Sequence, residues 1–237
     1  MNVRIAIRGL TIAFLSAIFV LPASALAGNG GTAPPPPAAD GPVDPAFALS
    51  ARHTVFLGKT LHVAGTDKNA AGQTVTLETR QGSDPWASVA SVAVANDGSF
   101  DTSWRPQGSG QFELRGVLAS ASAASDAPSS SAPRTVVVYK PSTATWYGPG
   151  FYGRKTACGK RLTRTMLGVA HKKLPCGTQV QLSYRGHTIV VPVIDRGPFA
   201  HHASWDLTSA TAKQLGMKVT SRIGAAPLDL SLQPPAL

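Results

Sequence analysis

Residues 46–140 contain short runs rich in Val, Leu and Phe, with turn residues between them. Such runs, bounded by Gly, Pro, Asn or Asp, are typical of strands, because strands are shorter than helices and end at turn residues. About seven short strands in roughly ninety residues predict an immunoglobulin-like β-sandwich without a disulfide. The clearest runs are Leu61-His62-Val63, Thr74-Val75-Thr76-Leu77, Ser88-Val89-Ala90-Ser91-Val92, Ser99-Phe100, Phe112-Glu113-Leu114-Arg115 and Thr135-Val136-Val137-Val138-Tyr139.

Turn residues and tryptophans refine this first β-rich region. Asn96-Asp97-Gly98 predicts a hairpin turn, because Asp and Gly tolerate positive φ angles. Trp86 and Trp104 are predicted to pack between the sheets, with stacking on sugar rings as the alternative. Residues 120–131, rich in Ala and Ser, predict a long loop inside the domain, since a strong strand signal follows them. Residues 141–142 then predict a short hinge.

A second β-rich region follows at residues 143–230. Residues 143–147 open it with a strand. Residues 178–184 alternate apolar and polar side chains, residues 185–186 predict a turn, and residues 187–194 return as an apolar strand. Together with one short helix, this pattern predicts a small closed barrel rather than a second sandwich.

The helix of this second region is predicted from about Ser209 to Leu215. Thr208 is suited to cap its N-terminus, because a threonine hydroxyl accepts a hydrogen bond from a first-turn amide. Gly216 is suited to end it, because glycine readily adopts the left-handed conformation found after the last helical residue. The chain is therefore predicted to be all-β apart from this helix.

The first 27 residues predict a secretory signal peptide. Arg4 and Arg8 precede a mostly apolar stretch at residues 10–21, and Ala25-Leu26-Ala27 gives the small-x-small pattern of a cleavage site. The alternative is an N-terminal membrane anchor, for which the apolar stretch is short. Residues 28–45, rich in Pro, Gly and Ala, predict a semi-rigid linker. No integral membrane segment is predicted after signal cleavage.

The positive charge of the chain is concentrated in its C-terminal part. The formal net charge is +10. Residues 28–140 hold eight Lys and Arg against nine acids, whereas residues 141–237 hold twelve against three, a net of +9. A basic surface of this kind favours an anionic partner, with a merely soluble basic surface as the alternative. In an exported protein the expected partner is a cell-wall polymer, and nucleic acid is disfavoured because no binding motif is recognisable.

Cys158 and Cys176 are the two cysteines of the chain. In an exported protein they predict one disulfide, worth about 3 kcal/mol in the entropic model. The alternative is a metal site that also uses His171, but this lacks a CxxC spacing and a clear fourth ligand. Neither a metal nor another cofactor is therefore predicted.

Acidic residues are scarce in the basic region. No Asp or Glu lies between Asp126 and Asp195, and only Asp206 and Asp229 follow. Asp195 ends a predicted strand, and it is the candidate acid/base group. Its alternative role is to accept hydrogen bonds from main-chain amides of the turn. For Asp206 the alternative to chemistry is stabilisation of the nearby helix N-terminus.

Six motifs of this region occur in an order and spacing that match a known family. They are Ala144-Thr145-Trp146-Tyr147-Gly148-Pro149-Gly150, Gly153-Arg154-Lys155-Thr156-Ala157-Cys158-Gly159, Ala170-His171, Leu174-Pro175-Cys176-Gly177-Thr178, Asp195-Arg196-Gly197-Pro198-Phe199 and Asp206-Leu207. Over about residues 143–226 they resemble the RlpA-like double-psi β-barrel family (rare lipoprotein A type). That family includes exported peptidoglycan lytic transglycosylases, with expansins as more distant relatives. The resemblance implies a six-stranded barrel crossed by a glycan groove.

The resemblance also implies roles for individual residues. Asp195 and His171 match the Asp and His of the family's site, and Asp206 matches an Asp shared with expansins. Lys160 stands where catalytic members carry Glu. If that Glu is required for turnover, the protein binds glycan and does not cut it. His171 is equally well interpreted as a hydrogen-bond donor to substrate, a proton shuttle or a partly buried structural histidine.

Four further residues are candidates for substrate binding. Trp146 and Tyr147 are suited to stack on sugar rings, with packing inside the barrel as the alternative. Lys160 and Arg196 supply positive charge to the groove. Arg196 would also lower the pKa of Asp195 if its guanidinium lay against the carboxylate.

The scarcity of carboxylates favours one type of glycan cleavage. In a lytic transglycosylase the sugar's own C6 hydroxyl replaces water, so one carboxylic acid can serve both proton transfers. Ordinary glycosidases need two carboxyl groups at set separations. The predicted function is a secreted peptidoglycan lytic transglycosylase, with a non-catalytic, expansin-like wall-binding module as the alternative. A protein-interaction domain is a third class that no motif favours.

Overall fold

The computed structural model describes residues 42–118, 128–199 and 202–229. The predicted signal peptide, most of the predicted linker and most of the loop at residues 120–131 lie outside these residues. The described chain contains β1 (Ala48–Ala51), β2 (Thr54–Phe56), β3 (Leu61–Thr66), β4 (Thr74–Arg80), β5 (Ala87–Ala93), β6 (Ser99–Trp104), β7 (Gly110–Leu118), β8 (Ser129–Ser130), β9 (Arg134–Tyr147), β10 (Val169–Ala170), β11 (Gln179–Tyr184), β12 (His187–Asp195), β13 (Trp205–Thr208), α1 (Ser209–Leu215) and β14 (Ser221–Pro227).

The N-terminal part of the described chain consists of two sheets that share one apolar core. One sheet has the order β1-β3-β6, and the other runs β9-β7-β4-β5, with β2 parallel to β9. Val63 and Phe100 from the first sheet and Leu77, Leu114 and Val138 from the second are buried in the same cluster. The prediction of an all-β region is confirmed here. The more specific immunoglobulin-like assignment stays a prediction.

The two tryptophans of this region have different environments. Trp104 packs in the shared core, as predicted. Trp86 is buried outside that cluster, between the guanidinium groups of Arg80 and Arg115 at 4.3 and 4.1 Å from its ring centre. Arg115 in turn pairs with the buried Glu78 at 3.0 Å. The prediction that Trp86 packs between the sheets is therefore wrong. Its ring lies outside the shared core and is covered by two arginines that pair with glutamates.

The Asn96-Asp97-Gly98 segment forms a tight turn but not a hairpin. Gly98 has a φ of 82°, and its N–H donates to the Ala95 carbonyl at 2.9 Å. The flanking strands belong to different sheets, since β5 pairs with β4 and β6 pairs with β3. The turn prediction is confirmed and the hairpin prediction is wrong, because a local turn signal does not determine the partner of each strand.

β9 is a single strand that continues from the sandwich into the second region. Its first half pairs with β2 and β7, and from Lys140 onward it pairs with β14. The predicted hinge at residues 141–142 is therefore wrong. Pro141 has no N–H to donate, and it is tolerated where the strand exchanges one set of partners for another.

The second region is a closed barrel of six strands. The strand order is β9-β14-β11-β12-β10-β13, and β13 pairs with β9 to close the ring. β13 is parallel to β9 and β10 is parallel to β12, while the other four pairings are antiparallel. Val180, Leu182, Val191, Leu207 and Leu215 fill the interior. This mixed, closed arrangement agrees with the predicted double-psi barrel.

The local elements of the barrel follow their sequence signals. Thr208 caps α1 by accepting a hydrogen bond from the Thr211 N–H, and Gly216 ends it in the left-handed conformation. β11 and β12 form the predicted hairpin around Arg185 and Gly186, both with positive φ. Within the described chain, no helix is long and apolar enough to cross a bilayer.

Candidate active site

Two of the predicted catalytic residues lie on the two barrel strands that flank β10. Ala170 on β10 stands opposite both Asp195 on β12 and Asp206 on β13. On the other side of β13, Thr145 of β9 stands opposite Asp206. Because neighbouring strands are about 4.8 Å apart, the backbones of the two aspartates lie roughly 10 Å apart. The pairings of β10 with β12 and with β13 thus bring both carboxylates into one candidate active site.

Asp195 is held by main-chain amides through one of its two carboxylate oxygens. Its Oδ1 accepts hydrogen bonds from the N–H groups of Ala157 and Arg196, both at 2.8 Å. The residue is half-buried, and Oδ2 has no donor of standard geometry among the described residues. The structural role considered for Asp195 is therefore present, and it occupies one of the two carboxylate oxygens.

Asp206 lies on the outer side of β13, since its neighbours Trp205 and Leu207 both face the core. Burial raises the pKa of Asp206, a hydrogen bond from the Thr145 hydroxyl at 2.8 Å opposes this, and the charge of Asp195 raises the pKa further. Thr208, not Asp206, caps the helix, and no acid lies in the first helical turn. The helix-stabilising alternative for Asp206 is therefore wrong.

Tyr147 places a hydroxyl group near both carboxylates. Burial raises the pKa of Tyr147, and the charges of Asp195 and Asp206 raise it further, so the hydroxyl keeps its proton. The hydroxyl oxygen is buried and lies near the Asp195 carboxylate. Among the described residues it forms no hydrogen bond of normal length and angle. Phe151 packs edge-on against the Tyr147 ring, with 6.2 Å between ring centres. Tyr147 thus presents a buried hydroxyl group that can donate a hydrogen bond.

His171 does not bring its ring to the two carboxylates. Its ring stacks on Trp205 at 4.4 Å, and its Nδ1 accepts from the N–H groups of Lys173 and Leu174. Among the described residues, His171 contacts Asp195 through the backbone, where its N–H donates to the Asp195 carbonyl at 3.2 Å. Burial lowers the pKa of His171, and the positive charges of Arg196 and Lys172 lower it further. The His171 ring is therefore neutral, and its Nδ1 serves as a hydrogen-bond acceptor.

The predicted substrate-binding residues are spread around the acids. Trp146 is 40% exposed, and its indole N–H donates to the Lys218 carbonyl at 3.2 Å, which fixes the ring in an open position. Arg196 directs one guanidinium nitrogen to the main-chain oxygen of Asp195 and another to the sulfur of Cys176, not to the carboxylate. Lys160 is exposed, and among the described residues it forms no ion pair with either aspartate.

Sequence reasoning missed two residues at this site. Thr145 donates to Asp206, and its position opposite that residue depends on a parallel pairing between distant segments. Its sequence signals are its place in the predicted strand and in the first family motif, and neither shows that it meets Asp206. Phe151, half-exposed beside Tyr147, lies in a turn whose sequence carries no periodic pattern.

The disulfide between Cys158 and Cys176 joins the loops on either side of the end of β12. The Cys158 N–H donates to the Ile194 carbonyl at 3.3 Å, beside the bond from Ala157 to Asp195. The predicted disulfide is confirmed, and the alternative metal site loses both of its thiolates. The described residues contain no group of three or more His, Cys, Asp or Glu side chains arranged to hold a metal.

Removal of this disulfide is expected to loosen the support of Asp195. The Cys158→Ser/Cys176→Ser double variant should lose about 3 kcal/mol of unfolding free energy, because the cross-link no longer restricts the unfolded chain. Amide hydrogen exchange at Ala157 should accelerate more than the global loss of stability accounts for. Denaturant unfolding and exchange monitored by NMR measure the two effects. Exchange at Ala157 that follows only global unfolding would show that the disulfide does not support Asp195 locally.

Comparison with known proteins agrees with this geometry. A family model described as lytic transglycolase matches residues 141–230. The chain is 40% identical over 98 residues to the probable endolytic peptidoglycan transglycosylase RlpA of Synechocystis sp. This match covers 40% of this chain and 30% of the relative. It is 43% identical over 76 residues to the protein of the same name from Aquifex aeolicus, covering 31% of this chain and 34% of the relative. The match therefore spans about a third of the length of these relatives.

One solved structure shares some sequence with this chain. The Streptomyces papain inhibitor is 28% identical with a TM-score of 0.31, and the match covers 38% of this chain and 94% of that protein. The family match and the closed six-stranded barrel concern the same segment of the chain. Residues 141–230 of this chain are therefore similar to the RlpA-like double-psi β-barrel family, as the sequence motifs indicated.

Proposed function

We propose that this protein is an exported cell-wall enzyme that cleaves peptidoglycan glycan strands by a lytic transglycosylase reaction. The observation that carries the proposal is the pair of carboxylates on β12 and β13, of which Asp206 has a raised pKa through burial and the charge of Asp195. The names of the relatives support peptidoglycan as the substrate class. The basic character of residues 141–237 supports binding to an anionic wall polymer.

The two carboxylates divide the proton transfers between them. Protonated Asp206 donates its proton to the glycosidic oxygen as the bond from C1 to that oxygen breaks. The sugar's C6 hydroxyl oxygen bonds to C1, and its proton passes to Asp195, which gives a 1,6-anhydro sugar and a free hydroxyl on the leaving sugar. Exchange with solvent at the half-buried carboxylates then returns the proton to Asp206. The sequence favoured a single carboxylic acid for both proton transfers. Here the two transfers are divided, because two carboxylates are present.

The surrounding side chains would bind and orient the strand. The exposed face of Trp146 and the half-exposed ring of Phe151 are suited to stack on sugar rings. Tyr147 keeps its proton and is placed to donate a hydrogen bond to Asp195 or to substrate. Arg196 supplies positive charge without neutralising either acid, since its guanidinium contacts a carbonyl and a sulfur.

Product analysis tests this function. The full chain is incubated with purified sacculi and with glycan strands stripped of peptides, and the soluble products are analysed by mass spectrometry. The expected products end in 1,6-anhydro sugars. Products with ordinary reducing ends would indicate hydrolysis, and no products from either substrate would remove the enzymatic proposal.

A wall-binding module is the second candidate, and Lys160 is the observation that favours it. The family resemblance implies a Glu at this position in catalytic members, whereas this chain has the exposed cation Lys160. Co-sedimentation with insoluble sacculi separates the candidates. A binding module should co-sediment and release no products, and its affinity should fall as salt rises because screening weakens charge attraction. A Lys160→Glu variant that gains anhydro-product formation would show that the barrel is a catalytic scaffold lacking one group.

A further inference from the structure

The loop that donates a hydrogen bond to Asp195 carries a concentrated positive charge. Residues 153–162, called the cationic loop below, contain Arg154, Lys155, Lys160 and Arg161 and no Asp or Glu. All four side chains are exposed, and none of them forms an ion pair with another described residue. Part of the positive charge of the barrel is thus gathered in one short segment without a counter-ion.

Two of these cations, Lys155 and Arg161, lie directly opposite each other. They form an antiparallel bridge, and two main-chain hydrogen bonds flank it, one of them from the Thr156 N–H to the Lys160 carbonyl at 2.7 Å. Residues bridged in this way are a non-hydrogen-bonded pair, the cross-strand position at which side chains approach most closely. Like charges directly opposite each other destabilise such a pair. The loop therefore keeps an arrangement that an anion between the two cations would stabilise.

The side chains of this pair turn away from each other. Nη1 of Arg161 donates to the Gly153 carbonyl at the start of the loop, whereas the end of the Lys155 side chain lies against Gly159 near its tip. Two like charges that diverge in this way reduce their repulsion in the absence of a counter-ion. Both side chains are long and exposed, so they can turn toward a shared anion.

The backbone of the cationic loop is held in place from its inner side. Thr156 and Leu162 are buried, and the Ala157 N–H donates to Asp195 at 2.8 Å. The disulfide of Cys158 joins the tip of the loop to the neighbouring segment. Because the backbone is fixed by these contacts, the four cations are presented on a preorganised surface, which lowers the entropic cost of binding a ligand.

We propose that the cationic loop is a docking surface for a linear polymer that carries a phosphodiester in each repeating unit. The two unsubstituted oxygens of a phosphodiester diverge, so one can accept from the Lys155 ammonium group and the other from the Arg161 guanidinium group. Arg154 and Lys160, next to the pair, supply cations for the neighbouring phosphates. This ligand is not the glycan of the proposed function, so the proposal stands whether or not the protein cuts glycan.

A membrane surface matches the cationic loop less well than a phosphate polymer does. The uncharged exposed residues of the loop are Gly153, Ala157 and Gly159, and its Leu162 is buried. Segments that bind at a membrane surface insert large apolar side chains among the lipids, and this loop exposes none. Attraction to a row of backbone phosphates needs no apolar anchor, because it depends on charge and on the release of counter-ions.

Titration with defined anions tests this surface. The full chain is titrated with poly(glycerol phosphate), with polyglutamate of equal charge, with inorganic phosphate and with phosphatidylglycerol vesicles, and binding is followed by calorimetry and amide NMR. We expect poly(glycerol phosphate) to bind most tightly, to shift the amide signals of residues 153–162, and to bind more weakly as salt rises. Inorganic phosphate should bind more weakly, because it reaches only one pair of cations. Equal binding of polyglutamate, or tighter binding of the vesicles, would overturn the proposal.

Matched variants separate docking on this loop from general charge attraction. Lys155→Gln and Arg161→Gln should each weaken binding of poly(glycerol phosphate) by roughly tenfold, since each removes a charge-assisted hydrogen bond. Lys213→Gln removes the same charge from an exposed position on α1 and should change the affinity by less than about twofold, because salt screens distant charges. An equal loss of affinity in all three variants would show that the cationic loop is not a specific surface.

A charge reversal shows that loss of binding does not come from loss of the fold. Lys155→Glu places opposite charges across the bridge to Arg161, so its unfolding free energy should be no lower than that of the wild type. Binding of poly(glycerol phosphate) should nevertheless be lost. A Lys155→Glu variant that keeps wild-type affinity would contradict the proposal. Because no readout requires cleavage, an inactive protein that binds the polymer would disprove only the enzymatic proposal.

Discussion

Replacement of Asp195 by asparagine is expected to reduce anhydro-product formation by roughly 10²–10⁴-fold, the usual contribution of a positioned general base. The amide oxygen of asparagine still accepts from the N–H groups of Ala157 and Arg196, which now bond to Oδ1 of Asp195. The turn should therefore survive, and the unfolding free energy should change little. The rate of release of 1,6-anhydro products, together with denaturant unfolding, measures both effects.

A second substitution at the same position separates chemistry from support of the turn. Asp195→Ala leaves both amides without their acceptor, which should cost about 1–3 kcal/mol of stability in addition to the loss of turnover. Asp97 provides a matched control, because its Oδ1 also accepts a main-chain N–H in a turn, at 2.9 Å from Ser99, but in the sandwich. Asp97→Asn should leave turnover unchanged. An Asp195→Asn variant with wild-type turnover would show that Asp195 has only a structural role.

The parts of the barrel that the sequence predicted well are those determined by local interactions. The limits of α1 depend on the Thr208 hydroxyl and on the backbone freedom of Gly216, which both act within one helical turn. The β11–β12 hairpin depends on alternation and on a two-residue turn. Asp195 was identified as a candidate because it ends a strand in a region with almost no other acid.

The relations that were not predicted depend on pairings between distant segments. The contact of Thr145 with Asp206 requires β9 and β13, separated by about sixty residues, to pair in parallel and in one register. The direction of the His171 ring is determined by two amides of its own loop and by the ring of Trp205. Periodicity reports which face of a strand is buried, but it does not report which strand lies beside it. The sequence therefore indicated which residues were candidates without showing which of them meet.

Replacement of Asp206 by asparagine is expected to remove the proton donor and to stabilise the fold at the same time. Turnover should fall by roughly 10²–10⁴-fold, because an amide cannot protonate the glycosidic oxygen. Because burial and the charge of Asp195 raise the pKa of Asp206, its protonated form persists to higher pH than in a free aspartate. Wild-type turnover should therefore fall as pH rises through this raised pKa. Rates measured across the acidic and neutral range test this dependence.

The same raised pKa predicts how stability varies with pH. The folded state binds the Asp206 proton more tightly than the unfolded state does. The stability that this proton contributes is therefore complete below the pKa of Asp206 in the unfolded state. It is lost as pH rises through the pKa of Asp206 in the folded state. Asp206→Asn should thus be more stable than the wild type at neutral pH, by less than about 1 kcal/mol because solvent screens a half-buried group. At low pH the two proteins should have similar stability.

Removal of the Thr145 hydroxyl should raise the pKa of Asp206, and this tests whether Asp206 is the proton donor. The Thr145 hydroxyl donates to Asp206 at 2.8 Å and lowers the pKa of that carboxyl. Thr145→Val removes this donor with little change in shape, so the pKa of Asp206 should rise and the fall in turnover should move to higher pH. Tyr184→Phe, which alters a barrel hydroxyl bonded to Ser221, should leave the profile unchanged. If the profile of Thr145→Val coincides with that of the wild type, or if Asp206→Asn retains turnover, Asp206 is not the group that protonates the leaving oxygen.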